Sequence, residues 1–597
     1  MVTKYGGVMG RKASGKERVD ILDKPQANGT VYVYKRISVY NPDKGYYVSK
    51  EQKLIGKKLP GSDEIVPTRP KAAKGFRKAS SHEKTLSAQG VSASRVRIGA
   101  SAIVDFIGKE SGIDNDVYAS CDEAVAKKII SVARYYLQSD GEATSHIEKW
   151  QLTHQMMPYG YPISEDAAHD LFTLIGADET ISQSVFIGRA SHLDDTNVLA
   201  YDASTVSTYG HGHIRSRYGY NKDADGLETD KLFTFYSMSN RQPVCFMTVP
   251  GNIPDVLAVG NAMKQLDVLG LQQSEVISDC GFYSEDNLSL MFQESYNFIT
   301  RAQHDVRWIR PEIDKVLKQM EDTANMCPDE AGTYGLTVCL THEFEKVRKY
   351  GSREKGLKAG DTEAFSRRVY LHIYFNDVNR IKKNRALDEE LSKLRDEYIS
   401  GQRDFKPAAQ KLIDKYMVIK DKRNGDPEIK FKTKAIREAK KYHGVFVLVS
   451  NKEKDAFEAL RKFRKREWIE DFFEEYKQRI GGKKYRVWDD LALDGKKLIQ
   501  FVALCYYEYF SRKIREIKKT LGVKNGEHDH DLKVNLDKEK ALKNWLDNTS
   551  IQEIFDWFDA VEKVDVTTPY AKQVWTTEVI ERDKMFLEKL GVELQNY

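Results

Sequence analysis

Six cysteines in 597 residues are few, and none forms a Cys-x-x-Cys pair. Cys121, Cys245, Cys280, Cys327, Cys339 and Cys505 are scattered, which argues against a zinc site and a disulfide framework and fits a reducing cytosol. Long apolar runs are missing as well. The longest, Leu498 to Phe510, falls short of the roughly 20 residues that cross a bilayer and is broken by Gln500 and Glu508, so no membrane role is expected. The basic start lacks the apolar stretch of roughly 7 to 15 residues that marks a secretory signal. A cytoplasmic protein without zinc is the expectation.

What the chain has is length, charge and an uneven distribution of that charge. The length prior gives about four domains, and 41% hydrophobic with 31% charged residues describe a polar globular protein. Residues 1 to 100 hold 21 Lys and Arg against 8 Asp and Glu, a net +13, which leaves the rest at −8 of the total +5. Phosphate contacts should therefore concentrate in this arm, unless it is only a solubilising tail. Within it, Thr30 to Val39, Tyr46 to Lys53 and a short following segment alternate as strands of a small antiparallel sheet, with PDKG as a turn. Lys35, Arg36, Lys44, Lys50, Lys53, Lys57 and Lys58 are its candidate DNA contacts. Lys71 to Arg97 reads as a basic linker, and periodicity predicts helices at Asp122 to Gln138, Glu142 to Met157 and Ile163 to Ile175, with PYGYP as a break.

The most informative segment is FRKREWIEDFFEEYK, Phe463 to Lys477. Read as one helix at about 100° per residue, it gathers Phe463, Arg466, Glu470 and Lys477 within roughly 60°, beside an apolar face of Trp468, Ile469, Phe472, Phe473 and Tyr476. Upstream, NVLAYDASTVSTYG ends an apolar run at Asp202, and SEVISDCGFYSEDNL leads through Val276 and Ile277 into Asp279. Both read as an aspartate at or near the end of a buried strand, where α/β sheets place their ligands. Taken singly, each is as well explained by a turn, a cap or an amphipathic helix. Together they are what a two-metal phosphoryl-transfer site needs, with hard oxygen ligands suited to Mg²⁺ or Mn²⁺.

With these residues the chain resembles the DDE transposases of bacterial insertion sequences, in particular the IS-four-type and IS-sixteen-thirty-four-like cut-and-paste group. The signature of that group on its third-acid helix is Tyr-x2-Arg-x3-Glu-x6-Lys. Here it is Phe463, Arg466, Glu470 and Lys477, with Phe in place of Tyr. Tyr218 to Gly226, Gln242 to Val256, His443 to Asn451 and Asp494 to Phe510 extend the resemblance over most of Gly29 to Phe510. It implies an α/β fold: an RNase H-like catalytic core interrupted by a β-rich insertion, with a small N-terminal β domain and helical DNA-binding and C-terminal segments. It also implies that Asp202, Asp279 and Glu470 hold two Mg²⁺ ions, for which Mn²⁺ substitutes, and that Arg466 and Lys477 grip phosphates. Phe463 would offer a ring but no hydroxyl. The implied partners are double-stranded DNA, as transposon ends and target, and a second copy of the chain in a homodimeric synaptic complex.

The third acid follows the second by 191 residues, too long for a simple connection. Strands at Thr333 to His342 and Arg367 to Phe375 and helices at Ala386 to Arg395 and Ala408 to Tyr416 are expected in between. Trp308 and Trp468 are candidates to stack on a DNA base, although a core or framework role is the simpler reading of each. The expected organisation is a basic β-sheet domain (1–70), linker (71–100), helical DNA-binding domain (101–190), core (191–303), insertion (304–440), second core part (441–515) and a helical C-terminal region (516–597) suited to dimerisation. His528 to His530, HDH, reads as a solvated loop. Two other classes stay open: a non-cutting DNA-binding protein that keeps the fold, and a nuclease without strand transfer.

Overall fold

The computed structural model describes residues 18–25, 30–41, 46–58, 65–66, 92–193, 197–210, 213–348, 358–420, 427–522 and 530–594. Lys44, the segment 71–91 and His528 with Asp529 lie outside them. The chain divides into two units, Met1–Ser92 and Ala93–Tyr597.

In the first unit β1 (Arg18–Pro25), β2 (Val31–Asn41) and β3 (Tyr46–Lys58) form an antiparallel sheet in that order. The alternation on either side of PDKG, whose expected turn lies outside the described residues, gives β2 and β3. The third strand, however, precedes them instead of following: RVDILDKP alternates too, and the later segment contributes only a bridge from Val66 to Lys57.

The second unit opens with β4 (Ser92–Arg97), α1 (Gly99–Glu110), α2 (Ile113–Tyr118), α3 (Glu123–Gln138), α4 (Ile147–Trp150), α5 (Glu165–Ala177) and α6 (Glu179–Ser191). Helices α3 and α5 match the periodicity, and Ser164 caps α5 by accepting from the Ala167 N–H. The helix expected over Glu142 to Met157 shrinks to a 3₁₀ turn and α4. Its backbone is captured instead by side chains and a strand: Gln151 donates to the Ile147 and Ile163 carbonyls, and Thr153 accepts from the Arg97 N–H.

A large mixed sheet follows: β5 (Val198–Thr208), β6 (Thr229–Ser237), β7 (Gln242–Pro250), α7 (Asp255–Val268), β8 (Glu275–Ser278), α8 (Glu285–Gln293), β9 (Asn297–Ala302), α9 (Arg310–Val316), β10 (Thr333–Val347) and β11 (Thr362–Asn376). Then come α10 (Asp377–Ile399), α11 (Pro407–Tyr416), β12 (Met417–Lys420), β13 (Glu428–Phe431), α12 (Thr433–Lys441), β14 (Val445–Ser450), α13 (Ala456–Arg464), α14 (Glu467–Arg479), β15 (Lys484–Tyr485) and α15 (Asp490–Thr520). The strand order is β10-β11-β14-β9-β8-β5-β6-β7, with β15 beside β5. Strands β5, β8 and β9 are mutually parallel, and the apolar run VFVLVS of β14 is buried as central strands require. The β10–β11 hairpin thus joins the sheet through β14, while α10, α11 and the β12–β13 hairpin enclose a separate small core of Leu391, Leu394, Ile413, Tyr416 and Met417.

The chain ends with α16 (His530–Asp547), α17 (Ile551–Phe558), β16 (Glu562–Thr567), β17 (Lys572–Thr576) and α18 (Glu581–Leu590). The expected purely helical C-terminal region is corrected here. EKVDVT alternates apolar and polar residues, and as β16 it pairs with both β17 and β4. Among the described residues no helix is long and apolar enough to cross a membrane.

Candidate active site

Two aspartates are brought level by strand register. Parallel pairing of β5 with β8 runs from Val198 opposite Glu275 to Tyr201 opposite Ser278. The next residues are Asp202 and Asp279, on strands about 4.8 Å apart. Asp202 lies in mid-strand, since β5 continues beside β6 with Asp202 opposite Thr234. Asp279 directly follows β8 and occupies the N-cap position of the 3₁₀ turn Cys280–Phe282. Parallel β9 adds Arg301, one residue past the Ser278–Thr300 pair, and its Nη1 lies 3.6 Å from Asp279 Oδ1.

The third element departs from the single helix expected over Phe463 to Lys477. The chain breaks at Lys465 and Arg466 into α13 and α14. Phe463 therefore does not share a face with Glu470. It is 7% exposed and packs with Ile277, Ile299, Tyr374 and Leu448, so this candidate DNA contact sits in the core. Lys462 anchors α13 to the start of β8 through Glu275 at 2.8 Å, and the expected apolar face of α14 (Ile469, Phe472, Phe473, Tyr476) is buried.

Arg466, at the break, is the hub of the site. Its guanidinium, with a side chain only 11% exposed, reaches Asp202 Oδ2 at 2.8 Å and Asp279 Oδ2 at 4.0 Å, and donates to Glu470 one turn along α14. The Phe463 ring lies beneath it, 5.6 Å away. Burial opposes its charge, but the three carboxylates hold the guanidinium above its usual range. Burial also pushes the Asp202 carboxyl up to about 6, with Arg466 and the Ala203 N–H acting against it. Glu470 is the exposed member, its side chain 54% accessible.

The remaining expected residues fall into separate places. Lys477, two turns beyond Glu470, is half-buried among Lys222, Asp223 and Lys483, and burial lowers its ammonium. Trp308 is held in the framework: its Nε1 donates to Tyr283 Oη at 3.0 Å and its ring stacks on His342. The face of Trp468 is covered by Arg241, 3.6 Å from its centroid. In the N-terminal sheet, Lys35 sits opposite Lys53 and Arg36 opposite Gln52, while Arg36 and Lys58 pair with Asp20 and Asp23. Lys57 is tied to Val66 through its backbone, and Lys50 lies on β3. Sequence reasoning missed Arg301, which strand counting from Asp279 would have found, and the bridging position of Arg466.

Among the described residues no three of His, Cys, Asp and Glu surround a common point as a finished metal cage. The three acids surround a guanidinium instead. Their chemistry still fits a hard divalent cation: the ligands are carboxylates, and Asp279 Oδ1 is buried without a hydrogen-bond partner. The sequence model of the family described as Transposase DDE domain matches residues 194–493, half of the chain and a span that contains all three acids. No curated protein matches closely enough to add to this. The chain therefore belongs to the DDE-domain transposases, a family of DNA transposition enzymes.

Proposed function

We propose that this transposase works by cut-and-paste. It binds the terminal inverted repeats of its element, cleaves the DNA there in a metal-dependent reaction, and joins the freed ends to target DNA from an RNase H-like core, as a homodimeric synaptic complex. The observation that carries this reading is the convergence of Asp202, Asp279 and Glu470, from two adjacent strands and one helix, on Arg466. A non-cutting DNA binder has no use for three carboxylates on a surface that meets phosphates.

Asp202, Asp279 and Glu470 would hold two Mg²⁺ or Mn²⁺ ions, which when bound supply Lewis-acid activation of the attacking oxygen and neutralise charge at phosphorus. The protein's share is positioning. The strands fix the two aspartates, and α14 presents Glu470 at the surface where DNA arrives. Arg466 neutralises the acids in the free protein and has the planar fork that matches a phosphate, while Lys477 offers a point charge farther along the same helix. The test is a labelled duplex carrying the element's terminal repeat. In Mg²⁺ the protein cuts at the repeat boundary and joins the end to a plasmid, and a chelator abolishes both. Cutting without joining would reduce it to a nuclease, and binding without cutting would overturn the catalytic reading.

The basic sheet is proposed to add affinity. Like charges directly opposite, as Lys35 and Lys53 are, repel across a sheet and favour an anion between them. Removing residues 1–91, which spares β4, should weaken end binding at least about tenfold and flatten its salt dependence, as expected when several phosphate contacts are lost. Anisotropy titrations over a salt series check this, and an unchanged slope would reduce the arm to a solubilising tail.

A further inference from the structure

A cleft of about 780 Å³ opens behind the active-site helix, between the turn after α3 and the stretch 480–488 that follows α14. Two glycines bring its walls together. Gly141 (φ 69°) and Gly481 (φ 70°) meet backbone to backbone, where a Cβ on Gly141 would lie 2.4 Å from the Gly481 nitrogen. Lys483, Arg486 and Lys496 line the cleft, and Trp488, 69% exposed, stands at its mouth.

These cations differ from their neighbours in the cleft. Lys484 next door is engaged by Asp225 at 3.1 Å and His146 by Glu142 at 3.4 Å, whereas Lys483, Arg486 and Lys496 have no hydrogen-bond or ion-pair partner among the described residues. The lining acids are Glu142, already engaged, and Glu165 in the first turn of α5. The Lys496 ammonium lies 5.8 Å from the centroid of the Tyr136 ring. Burial, with Arg486 adding to it, pushes that ammonium down to about 8, as expected of a desolvated cation without a counter-ion. The cleft is also continuous in charge with the acid site, because Lys477 feels Lys483 and lies only about 10 Å along α14 from Glu470.

We propose that this cleft seats a backbone phosphate of bound DNA flanking the cleaved bond, with Lys496 at its base and Lys483 and Arg486 on its walls. This takes DNA as substrate from the transposase reading, but it needs no cleavage chemistry. The test uses the full chain and end DNA in anisotropy titrations over a salt series. Lys496→Gln should bind about tenfold more weakly and flatten the log–log salt slope by about 1, and the double variant Lys483→Gln/Arg486→Gln by about 2, on any DNA sequence. The double variant alters exposed positions only and decides the matter if Lys496→Gln fails to fold. Unchanged affinity and slope in folded variants would overturn the proposal, and Mg²⁺-dependent cutting by the same proteins would show that the catalytic reading survives it. Inorganic pyrophosphate distinguishes a free anion from DNA. Melting protection by pyrophosphate that Lys496→Gln abolishes, with DNA binding untouched, would make this a free-phosphate site and overturn the DNA assignment.

Discussion

Asp202→Asn and Asp279→Asn should each lower strand cleavage in Mg²⁺ by about three orders of magnitude or more and leave end-DNA binding within a few-fold of wild type. The size follows from the chemistry. Charge stabilisation by a bound cation is worth several kcal/mol in the transition state, and each 1.36 kcal/mol is about tenfold in rate. Both substitutions keep side-chain volume and remove one charge. Asp279 is the cleaner case, because its Oδ1 has no hydrogen bond to lose, whereas Asp202 also accepts from the Ala203 N–H. Single-turnover cleavage of a labelled end, beside anisotropy binding on the same preparations, separates chemistry from affinity. Near-wild-type cutting by either variant would remove that aspartate from the site.

The second large effect belongs to Arg466→Ala. The guanidinium is nearly buried and holds Asp202 and Asp279 from one side and Glu470 from the other. Its loss removes the cation that opposes burial at Asp202, so that this carboxyl, already pushed up to about 6, rises further and takes up a proton near neutral pH; losing the pairing costs up to about 3 kcal/mol, whereas the exposed Glu470 contributes little. Thermal melting without divalent cation should therefore fall by several degrees. Mg²⁺ should restore more of the loss than it adds to wild type, since cations would replace the missing positive charge. Cleavage should drop about a hundredfold or more even in saturating Mg²⁺. Arg466→Lys keeps a charge but not a fork that spans three carboxylates, so it should rescue melting better than cleavage. Equal melting of Arg466→Ala and wild type without metal would mean that the guanidinium does not bind the acids together.

Much of this site was legible because its residues obey simple periods. Asp202 and Asp279 each follow apolar strand residues, and Ile469, Phe472, Phe473 and Tyr476 recur at helical spacing before the structure buries them. Register could not be read. That Asp202 and Asp279 are level depends on which residue of β8 faces Tyr201, a long-range fact that no local pattern encodes. The break between α13 and α14 was hidden for a different reason, since FRKREW contains no glycine or proline. The break has a packing cause. In one straight helix, Leu460 and Phe463 would point about 160° away from the Ile469–Tyr476 face, at 100° per residue. The two groups belong to different apolar clusters, and only a break lets both be buried. The missed strands β1 and β16 do alternate, but each is short and borders a stronger signal, the PDKG hairpin for β1 and the amphipathic WLDNTSIQEIFDWF for β16.

The third acid is the point on which the account turns, because α14 offers Glu467, Glu474 and Glu475 besides Glu470. Only Glu470 meets Arg466. Glu474 accepts from Gln478 at 2.8 Å and lines a separate pocket with Arg241 and Trp468, and Glu475 lies beside Arg479. The deciding measurement is cleavage of a labelled transposon end in Mg²⁺ by Glu470→Gln, run beside Glu467→Gln and Glu474→Gln. Glu470→Gln should bind the end without cutting while the other two cut at near-wild-type rates. Robust cutting by Glu470→Gln, with Glu467→Gln or Glu474→Gln inactive, would contradict it.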